Sequence, residues 1–349
     1  MRFALIILSA FLLVTPIQGK LTTVLSQVSR PEGMQIAFGK ILITERSTFF
    51  VYSLSDFSYI TQFGQTGEGP GELTINPILP NTIRPTENGF LAEGQNKLIF
   101  YSKDFKVDHE VKKKEWLINS APLGSNIVSL RMQIQKNRRV IEILLMDSQF
   151  NVIKSIFQQH MDFRLDCVYL IPDIVHYAIN NNKIYVEDST KGFMIHVFDS
   201  TGKKEATFKK NYKPIPFEKS DKQLLMERLK EDYFFQATSK KMGSWKELEE
   251  RSNFIFPEFF PLIQDMIIAN NKIYISTYQH KDNLEQYIVL DLKGNTLGEY
   301  FLPVVKKSMV TTSMLGRENR FYGIDNNNFY YLLENENAEE WELHSIIIK

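Results

Sequence analysis

The sequence predicts an all-β protein, a six-bladed β-propeller of four-stranded antiparallel blades. Three observations support this fold: a β-rich unit recurs along the chain, its period is about 45 residues, and Gly/Asn-type turns separate its strands. Four short antiparallel strands and their turns need about 45 residues. Repeats in an array of β-sandwich domains would be about 100 residues long, so the spacing disfavours that alternative.

The first residues have the pattern of a secretion signal. Arg2 precedes an apolar run over residues 3–17, and the small residue Gly19 follows it. This run is short for a bilayer span and suits the apolar region of a signal peptide. We therefore expect residues 1–19 to be a signal peptide and residues 20–349 to be a periplasmic or secreted propeller without a membrane span. An uncleaved N-terminal anchor helix is the alternative.

The charges and the single cysteine narrow the class of function. The chain of 349 residues has 41 Lys+Arg and 41 Asp+Glu, which removes the electrostatic basis for binding nucleic acid. One cysteine, Cys167, excludes a disulfide framework and a metal site built from several thiolates. Asp166 beside it disfavours a thiolate, so we interpret Cys167 as a small buried apolar residue.

Six copies of the unit align on the second apolar run of each copy. The anchors of these runs are Val51, Ile99, Ile143, Ile195, Ile288 and Tyr330. Five copies have an upstream apolar segment that suits an innermost strand, namely 34–38, 116–121, 174–178, 263–268 and 311–315. The last blade takes its outermost strand from one end of the chain, either 21–28 or 341–348. Such a strand would close the ring.

A helical insertion is predicted between blades four and five. The step between the fourth and fifth anchors is about twice the period because it contains residues 211–256, where apolar residues have helical spacing. Ser220 and Gln223 predict a capping box for one helix, and Ser244 and Glu247 predict the start of a second. The insertion is either a packing elaboration or a lid over a binding site, because inserted loops often carry function.

A glycine-rich linker follows the first copy. Residues 67–72 read Gly-Glu-Gly-Pro-Gly-Glu and come shortly after Phe63 and Gly64. This element resembles the linker that ends the first blade in secreted bacterial six-bladed propellers related to the NHL and TolB-like groups. Residues 259–265 and 270–275 resemble the blade start that follows an insertion in that family. The resemblance implies the fold and an extracytoplasmic location, and it implies little about chemistry.

The linker also has an interpretation from its residues alone. Its glycines permit the sharp turn that takes the chain from an outermost strand to the next innermost strand. An anion-binding nest is the alternative, but the two glutamates of the element would repel an anion. We interpret the element as a structural linker formed by Gly67, Gly69, Pro70 and Gly71.

No catalytic motif identifies a reaction. The six histidines lack the His-Glu-x-x-His and His-x-His spacings of metal sites, and the chain has no Gly-x-Ser-x-Gly element. Asp147, Asp199 and Asp291 each end an apolar run, but they lack the pattern of a calcium-binding loop. We interpret these three aspartates as residues that open turns.

A site assembled from one residue per blade remains possible where the innermost strands begin near the axis. In resembling enzymes of the gluconolactonase and senescence-marker type, oxygen ligands from several inner strands hold one divalent cation. The candidates by position are a metal group of Asp265, Glu32 and Asn119, and two residues of a ligand channel, His176 and Arg317. The sequence establishes no cofactor, and Ca²⁺ is the cation considered for this alternative. Ordinary solvated channel residues are the alternative interpretation.

Two functions remain from the sequence. The first is a monomeric binding or interaction module for a protein, peptide or glycan ligand, with no nucleic-acid partner. Its candidate contact residues are Trp116, Trp245, Tyr233, Phe234 and Phe235, although aromatic residues at this spacing are more often buried. The second is a divalent-cation-dependent hydrolase or lactonase with its site on the propeller axis. Oxygen ligands clustered around Asp265 would favour the second function.

Overall fold

Strand pairing produces six four-stranded antiparallel sheets, which are the blades of a propeller. The computed structural model describes residues 19–76, 79–164, 166–305 and 320–348, so the signal peptide predicted over 1–19 lies almost entirely outside the described residues. The predicted fold class, a six-bladed all-β propeller, is confirmed.

Blades 1 to 3 are each formed by consecutive strands, from the innermost to the outermost. Strand β1 (Lys20–Val24) comes first in the chain but belongs to blade 6. Blade 1 contains β2 (Gly33–Ala37), β3 (Lys40–Glu45), β4 (Thr48–Ser53) and β5 (Tyr59–Phe63). A short parallel pair, β6 (Gln65–Thr66) and β7 (Glu72–Leu73), leads to blade 2. Blade 2 contains β8 (Thr82–Pro85), β9 (Gly89–Glu93), β10 (Lys97–Ser102) and β11 (Val107–Lys112). Blade 3 contains β12 (Leu117–Leu123), β13 (Asn126–Gln135), β14 (Arg138–Met146) and β15 (Val152–Asp162).

Blades 4 and 5 follow the same order, with extra elements before each of them. Strand β16 (Cys167–Tyr169) precedes blade 4. Blade 4 contains β17 (Tyr177–Asn180), β18 (Lys183–Asp188), β19 (Phe193–Phe198) and β20 (Lys204–Lys210). The helices α1 (Lys219–Glu231), α2 (Tyr233–Met242) and α3 (Trp245–Arg251) and the strand β21 (Asn253–Ile255) come next. Blade 5 contains β22 (Asp265–Ala269), β23 (Lys272–Lys281), β24 (Leu284–Asp291) and β25 (Thr296–Pro303).

Blade 6 combines the two ends of the chain. Its strands, from the axis outwards, are β26 (Tyr322–Asp325), β27 (Asn328–Asn335), β28 (Glu340–Ile347) and β1. The outermost strand comes from the N-terminal segment, which is one of the two predicted alternatives, and the C-terminal segment supplies the third strand, so both segments are needed. The innermost strand is β26, and residues 311–315, predicted for that position, lie outside the described residues. Strand β1 occupies the outermost position of blade 6. Each C-terminal strand therefore lies one place closer to the axis than the sequence predicted, and Tyr330 lies in the second strand of the blade.

Burial explains the sequence repeat. The second and third strands of each blade are covered on both faces by neighbouring blades, and all six residues of β19 are buried. The outermost strands face solvent, as the mostly exposed side chains of β5 and β11 show. The inner strands therefore have nearly continuous apolar runs, as strands buried on both faces do in other sheets. These runs are the anchors that reveal the period.

The six innermost strands begin at one face of the disc, which we refer to as the upper face. Four antiparallel strands return the chain to the face from which the blade started. The connections between blades, and the turns between second and third strands, therefore lie on the upper face. The insertion belongs to this face because it joins β20 to β22.

The insertion lies between blades four and five, as predicted, but it contains three helices and not two. Helix α1 begins two residues earlier than predicted, because the N-cap is Glu218 and its backbone N–H donates to the Asp221 carboxylate at 2.8 Å. Ser244 caps α3 as predicted, since its hydroxyl accepts from the Glu247 backbone N–H at 3.2 Å. Among the described residues, no helix is long and apolar enough to cross a membrane.

The insertion is packed against the connection between blades 3 and 4. Strand β21 pairs in parallel with β16, and Leu225, Leu229 and Leu248 are buried around Leu170 of that connection. This contact joins two successive blade connections on the upper face. Packing is therefore part of the role of the insertion, while its action as a lid stays a prediction.

Candidate functional site

The predicted polar residues that the structure describes lie on four different blades near the start of the innermost strand. Glu32 directly precedes β2, and His176 directly precedes β17. Asp265 is the first residue of β22, and Asn119 is the third residue of β12. The topology therefore brings all four residues to the upper face, as the sequence predicted, although their partners differ.

Asp265 is buried in an ion pair with an arginine of blade 6. Arg320 donates from Nε and Nη2 to the two carboxylate oxygens, each at 2.5 Å. The Tyr322 hydroxyl donates at 2.9 Å and the Met266 backbone N–H at 2.7 Å. Burial alone would raise the pKa of Asp265, but the Arg320 guanidinium and its hydrogen bonds hold that pKa well below its usual range. Arg317, predicted for the ligand channel, lies outside the described residues.

The three residues of the predicted metal group have separate partners. Glu32 accepts from the Arg46 backbone N–H at 3.0 Å, in a turn of its own blade. Asn119 accepts from the side chain of Arg84 at 3.4 Å, and Asp265 pairs with Arg320. Within the described ranges, no group of three His, Cys, Asp or Glu side chains could hold a metal ion. The calcium site stays a prediction, and the guanidinium on Asp265 disfavours a cation at that carboxylate.

His176 pairs with a buried glutamate that the sequence analysis missed. Oε1 of Glu187 lies 3.1 Å from His176 Nδ1 and accepts from the His176 backbone N–H at 2.8 Å. Oε2 of Glu187 is buried and has no hydrogen-bond partner among the residues described. Burial raises the pKa of Glu187 to about 7, although His176 opposes the rise. Glu187 stands within the apolar strand β18, where no motif marks it.

Asn119 lies in a β-bulge of the innermost strand of blade 3. The register between β12 and β13 shifts between Ile118 and Ala121, and Asn119 has a φ of 57°. Asparagine tolerates this left-handed conformation better than most residues. The Tyr177 hydroxyl, from blade 4, contacts the Asn119 carbonyl oxygen and lies 2.8 Å from the Val128 carbonyl oxygen. Tyr177 therefore braces the bulge, a type of element that is frequent beside functional sites.

A buried polar network holds the other side of this bulge. The Glu93 carboxylate accepts from the Ser120 backbone N–H at 2.9 Å and from the Ser120 hydroxyl at 3.0 Å. It also pairs with Lys113 at 2.8 Å, and the two side chains are 1% and 2% exposed. Ser129 donates to the Ser120 hydroxyl at 2.8 Å. Because these buried groups satisfy one another, the network fixes the backbone on either side of Asn119.

Arg84 of blade 2 extends to the bulge. Its Nη2 donates to the Asn119 side-chain oxygen at 3.4 Å, while its buried Nε has no hydrogen-bond partner in the described part of the chain. Among the described residues it forms no ion pair. Arg84 is the third residue of the four-residue strand β8, so its position near the axis could not be derived from a repeat pattern.

Exposed aromatic side chains also lie in the connections of the upper face. They are Trp116 at 45%, Tyr233 at 53%, Phe234 at 43% and Phe259 at 44% exposure. Of the other aromatic residues considered from the sequence, Phe235 is buried and Trp245 packs against the core of the insertion. Three of the five aromatic candidates are therefore accessible to a ligand.

The glycine-rich linker connects blades 1 and 2. The Glu72 carboxylate accepts from the Gly69 N–H at 2.8 Å, and the Glu110 carboxylate accepts from the Gly71 N–H at 2.9 Å. Gly71 has a φ of 74°, in the left-handed region that favours glycine. These backbone N–H groups therefore already donate to carboxylates of the protein itself, which agrees with a structural role for the linker.

The aspartates that end the apolar runs open turns, as predicted. Oδ1 of Asp147 accepts from two backbone N–H groups, each at 2.9 Å, and Asp199 and Asp291 repeat the pattern. Hydrogen bonds from the turn residues lower the pKa of all three carboxyl groups. Cys167 is buried as predicted, and burial raises the pKa of its thiol.

Comparison with known proteins identifies neither a family nor a function for the chain. No family model matches the chain, and no curated protein matches it. Similar solved structures include the Cps50 (Swd1) β-propeller domain of Myceliophteria thermophila, with 8% identity, a TM-score of 0.45, and coverage of 94% of this chain and 100% of that chain. The Pan2 WD40 domain of Neurospora crassa has 9% identity, a TM-score of 0.44, and coverage of 92% and 91%. BamB of Moraxella catarrhalis has 7% identity, a TM-score of 0.33, and coverage of 89% and 71%. At these scores the assignment as a six-bladed propeller rests on the strand pairing of the chain itself.

Proposed function

We propose that the protein is an extracytoplasmic binding module whose upper face recognises a protein, peptide or glycan ligand. The observation that carries the proposal is the exposed aromatic pair Tyr233 and Phe234 at the start of α2. The extracytoplasmic location is supported by the signal-peptide pattern of residues 1–19 and by the resemblance carried by residues 67–72.

The backbone that carries the exposed aromatic pair is anchored on both sides. The preceding residue, Asp232, is buried and accepts from the Phe234 backbone N–H at 3.0 Å as the N-cap of α2. The following residue, Phe235, is buried in the core of the insertion. Large aromatic rings on an anchored backbone offer contact area at little cost in conformational entropy, and tyrosine is frequent among interface hot spots.

The experiment compares the mature chain with two double variants. Tyr233→Ser with Phe234→Ser removes the aromatic pair, and Val152→Ser with Ile153→Ser removes two exposed apolar residues of β15 as a matched control. Partners are identified by crosslinking in the extracytoplasmic fraction and by a glycan array, and affinities are then measured by calorimetry. We expect the aromatic variant to bind at least tenfold more weakly, since each hot-spot side chain contributes about 2 kcal/mol. Equal affinity of all three proteins would contradict the proposal.

The alternative, a divalent-cation-dependent hydrolase or lactonase, is tested separately. Calorimetric titration with calcium chloride, for the mature chain and for Asp265→Ala, measures whether a cation binds near the axis. Saturable binding of about one cation per chain that is lost in the variant would favour the hydrolase, as oxygen ligands are needed to hold Ca²⁺. The ion pair of Asp265 with Arg320 makes us expect no such binding.

A further inference from the structure

We propose that the mouth of the central channel on the upper face binds a carboxylate group of a ligand, held by Arg84 beside Asn119. The proposal does not depend on the aromatic pair of α2, so either proposal can fail without the other. It is based on an incompletely bonded arginine, on a rigid backbone that positions its neighbour, and on the charges around the axis.

Arg84 carries a charge that the described residues do not balance. Arginine stays protonated in proteins, and its guanidinium has five N–H donors. Among the described residues it makes one hydrogen bond, to the amide oxygen of Asn119 at 3.4 Å, and its buried Nε has no partner there. A buried N–H group without an acceptor destabilises the fold, because it has lost its hydrogen bonds to water. An anion at this position would supply the missing acceptors.

The position of Asn119 is fixed before any ligand arrives. The Tyr177 hydroxyl braces the bulge from blade 4, and the Glu93–Lys113 network holds Ser120 from blade 2. Functional groups that bind ligands need such support from surrounding residues, because small displacements weaken binding. The irregularity is confined to the position of Asn119, since the other pairs of β12 with β13 are regular.

The charges around the axis favour a monoanion. Asp265 is paired with Arg320, Glu93 with Lys113, and Glu187 with His176. The buried Asp173 carboxyl, on the His176 side, accepts a hydrogen bond from the Ser189 hydroxyl. Arg84 is the charged side chain beside Asn119 that forms no ion pair among the described residues, and its single positive charge suits a carboxylate better than a doubly charged phosphate. The planar guanidinium can also bind a carboxylate through two parallel hydrogen bonds.

The test observes Arg84 directly by nuclear magnetic resonance of the ¹⁵N-labelled chain. The Nε–H resonance of Arg84 is assigned by its loss in Arg84→Gln, and sodium acetate is titrated at constant ionic strength against sodium chloride. We expect a saturable shift of this resonance with acetate and none with chloride. Arg138→Gln, which removes an exposed arginine of blade 3, is the matched control and should retain the saturable response.

Two further variants separate binding from folding. Arg84→Lys keeps the charge without the planar fork, and Tyr177→Phe removes the hydroxyl that braces the bulge. We expect both to bind acetate about tenfold more weakly, as measured by calorimetry, while their circular dichroism stays that of the wild type. If Arg84→Gln does not fold, Arg84→Lys gives the same test. Unchanged affinity in folded Arg84→Gln or Arg84→Lys would overturn the proposal.

The source of the carboxylate is distinguished with peptide probes. An N-acetylated tripeptide with a free C-terminal carboxylate is compared with its C-terminal amide and with acetate. Binding of the free acid at least tenfold tighter than acetate identifies a peptide C-terminus, and equal affinities identify a small organic acid. Phosphate binding more tightly than acetate, or a linear response to every anion, would overturn the assignment of a carboxylate site.

Discussion

The buried pair Asp265–Arg320 gives a prediction about stability. Asp265→Asn removes the charge and leaves the Arg320 side chain, which is 27% exposed, without its carboxylate. We expect the free energy of unfolding to fall by about 3 kcal/mol, as it does when one partner of a buried ion pair is removed. Urea unfolding at neutral pH, followed by circular dichroism, measures the change. An unchanged midpoint would contradict the prediction.

The same pair predicts a dependence on pH. Because the pKa of Asp265 is lowered in the folded state, its stabilising effect is present above the unfolded value of about 4 and is lost as the pH falls further. The difference in stability between the wild type and Asp265→Asn should therefore shrink in acid. Arg320→Met, which removes the other partner of the ion pair, is the control. Its difference in stability from the wild type should also shrink in acid. A difference that does not vary with pH would refute this assignment.

Glu187 predicts the opposite trend. Its pKa is raised to about 7, so the folded state binds a proton that the unfolded chain has already released. The wild type should therefore lose about 2 kcal/mol of stability between about pH 5 and pH 8 through this group. Glu187→Gln keeps the neutral form at every pH, and it should remove most of this loss. Parallel stability curves for the two proteins would contradict the prediction.

At the scale of residues, the place of a side chain in the fold could be predicted from the sequence, but its hydrogen-bond and ion-pair partners could not. Asn119, His176 and Asp265 were found because each lies near the start of an innermost strand. Arg84 and Glu187 were missed, since their importance depends on the bulge of blade 3 and on burial by a neighbouring blade. Such contacts join residues far apart in the chain, and no local pattern encodes them.

At the scale of elements, the insertion should unfold before the blades. Leu229 is fully buried in the cluster that attaches the helices to the connection between blades 3 and 4. Leu229→Ala should destabilise this cluster by about 2 to 5 kcal/mol. Hydrogen exchange should then increase over residues 167–169 and 219–255 and stay unchanged in the blades. Leu224→Ala, at a residue that is 65% exposed, is the control.

The elements that the sequence predicted well are those with a strong local signal. The innermost strands of blades 1, 3 and 5 fall within a few residues of their predicted positions, because apolar runs and turns mark them. Helix α1 was placed two residues late, since a glutamate serves as N-cap where serine was expected. The last blade was displaced by one strand because its outermost strand comes from the other end of the chain.

At the scale of the whole molecule, ring closure should determine resistance to unfolding. Lys20 of β1 is paired with Ser345 of β28. Lys20→Cys with Ser345→Cys should form a disulfide across this pair and stabilise the fold by about 4 kcal/mol, because it closes a very long loop. Thermal unfolding of the oxidised protein is compared with the same variant after reduction. Equal melting temperatures in the two states would show that the ring does not open there first.

The fold of the whole molecule could be predicted because each blade needs a similar length of chain and buries its middle strands. The apolar runs therefore recur at a regular spacing. Six repeats of about 45 residues leave few architectures other than a propeller. The binding function could not be derived in the same way, because a propeller supports many functions and its ligands are chosen by connections that differ between proteins.

The origin of the outermost strand of blade 6 also determines the order of events during biosynthesis. Strand β1 is made before the other described strands, and its partner β28 is made after them. Strand β1 therefore stays without its partner until β28 has been made. Contacts between such distant segments form slowly, and an unpaired strand edge is prone to aggregation. Newly made chains should therefore be most vulnerable to misassembly just before β1 pairs with β28.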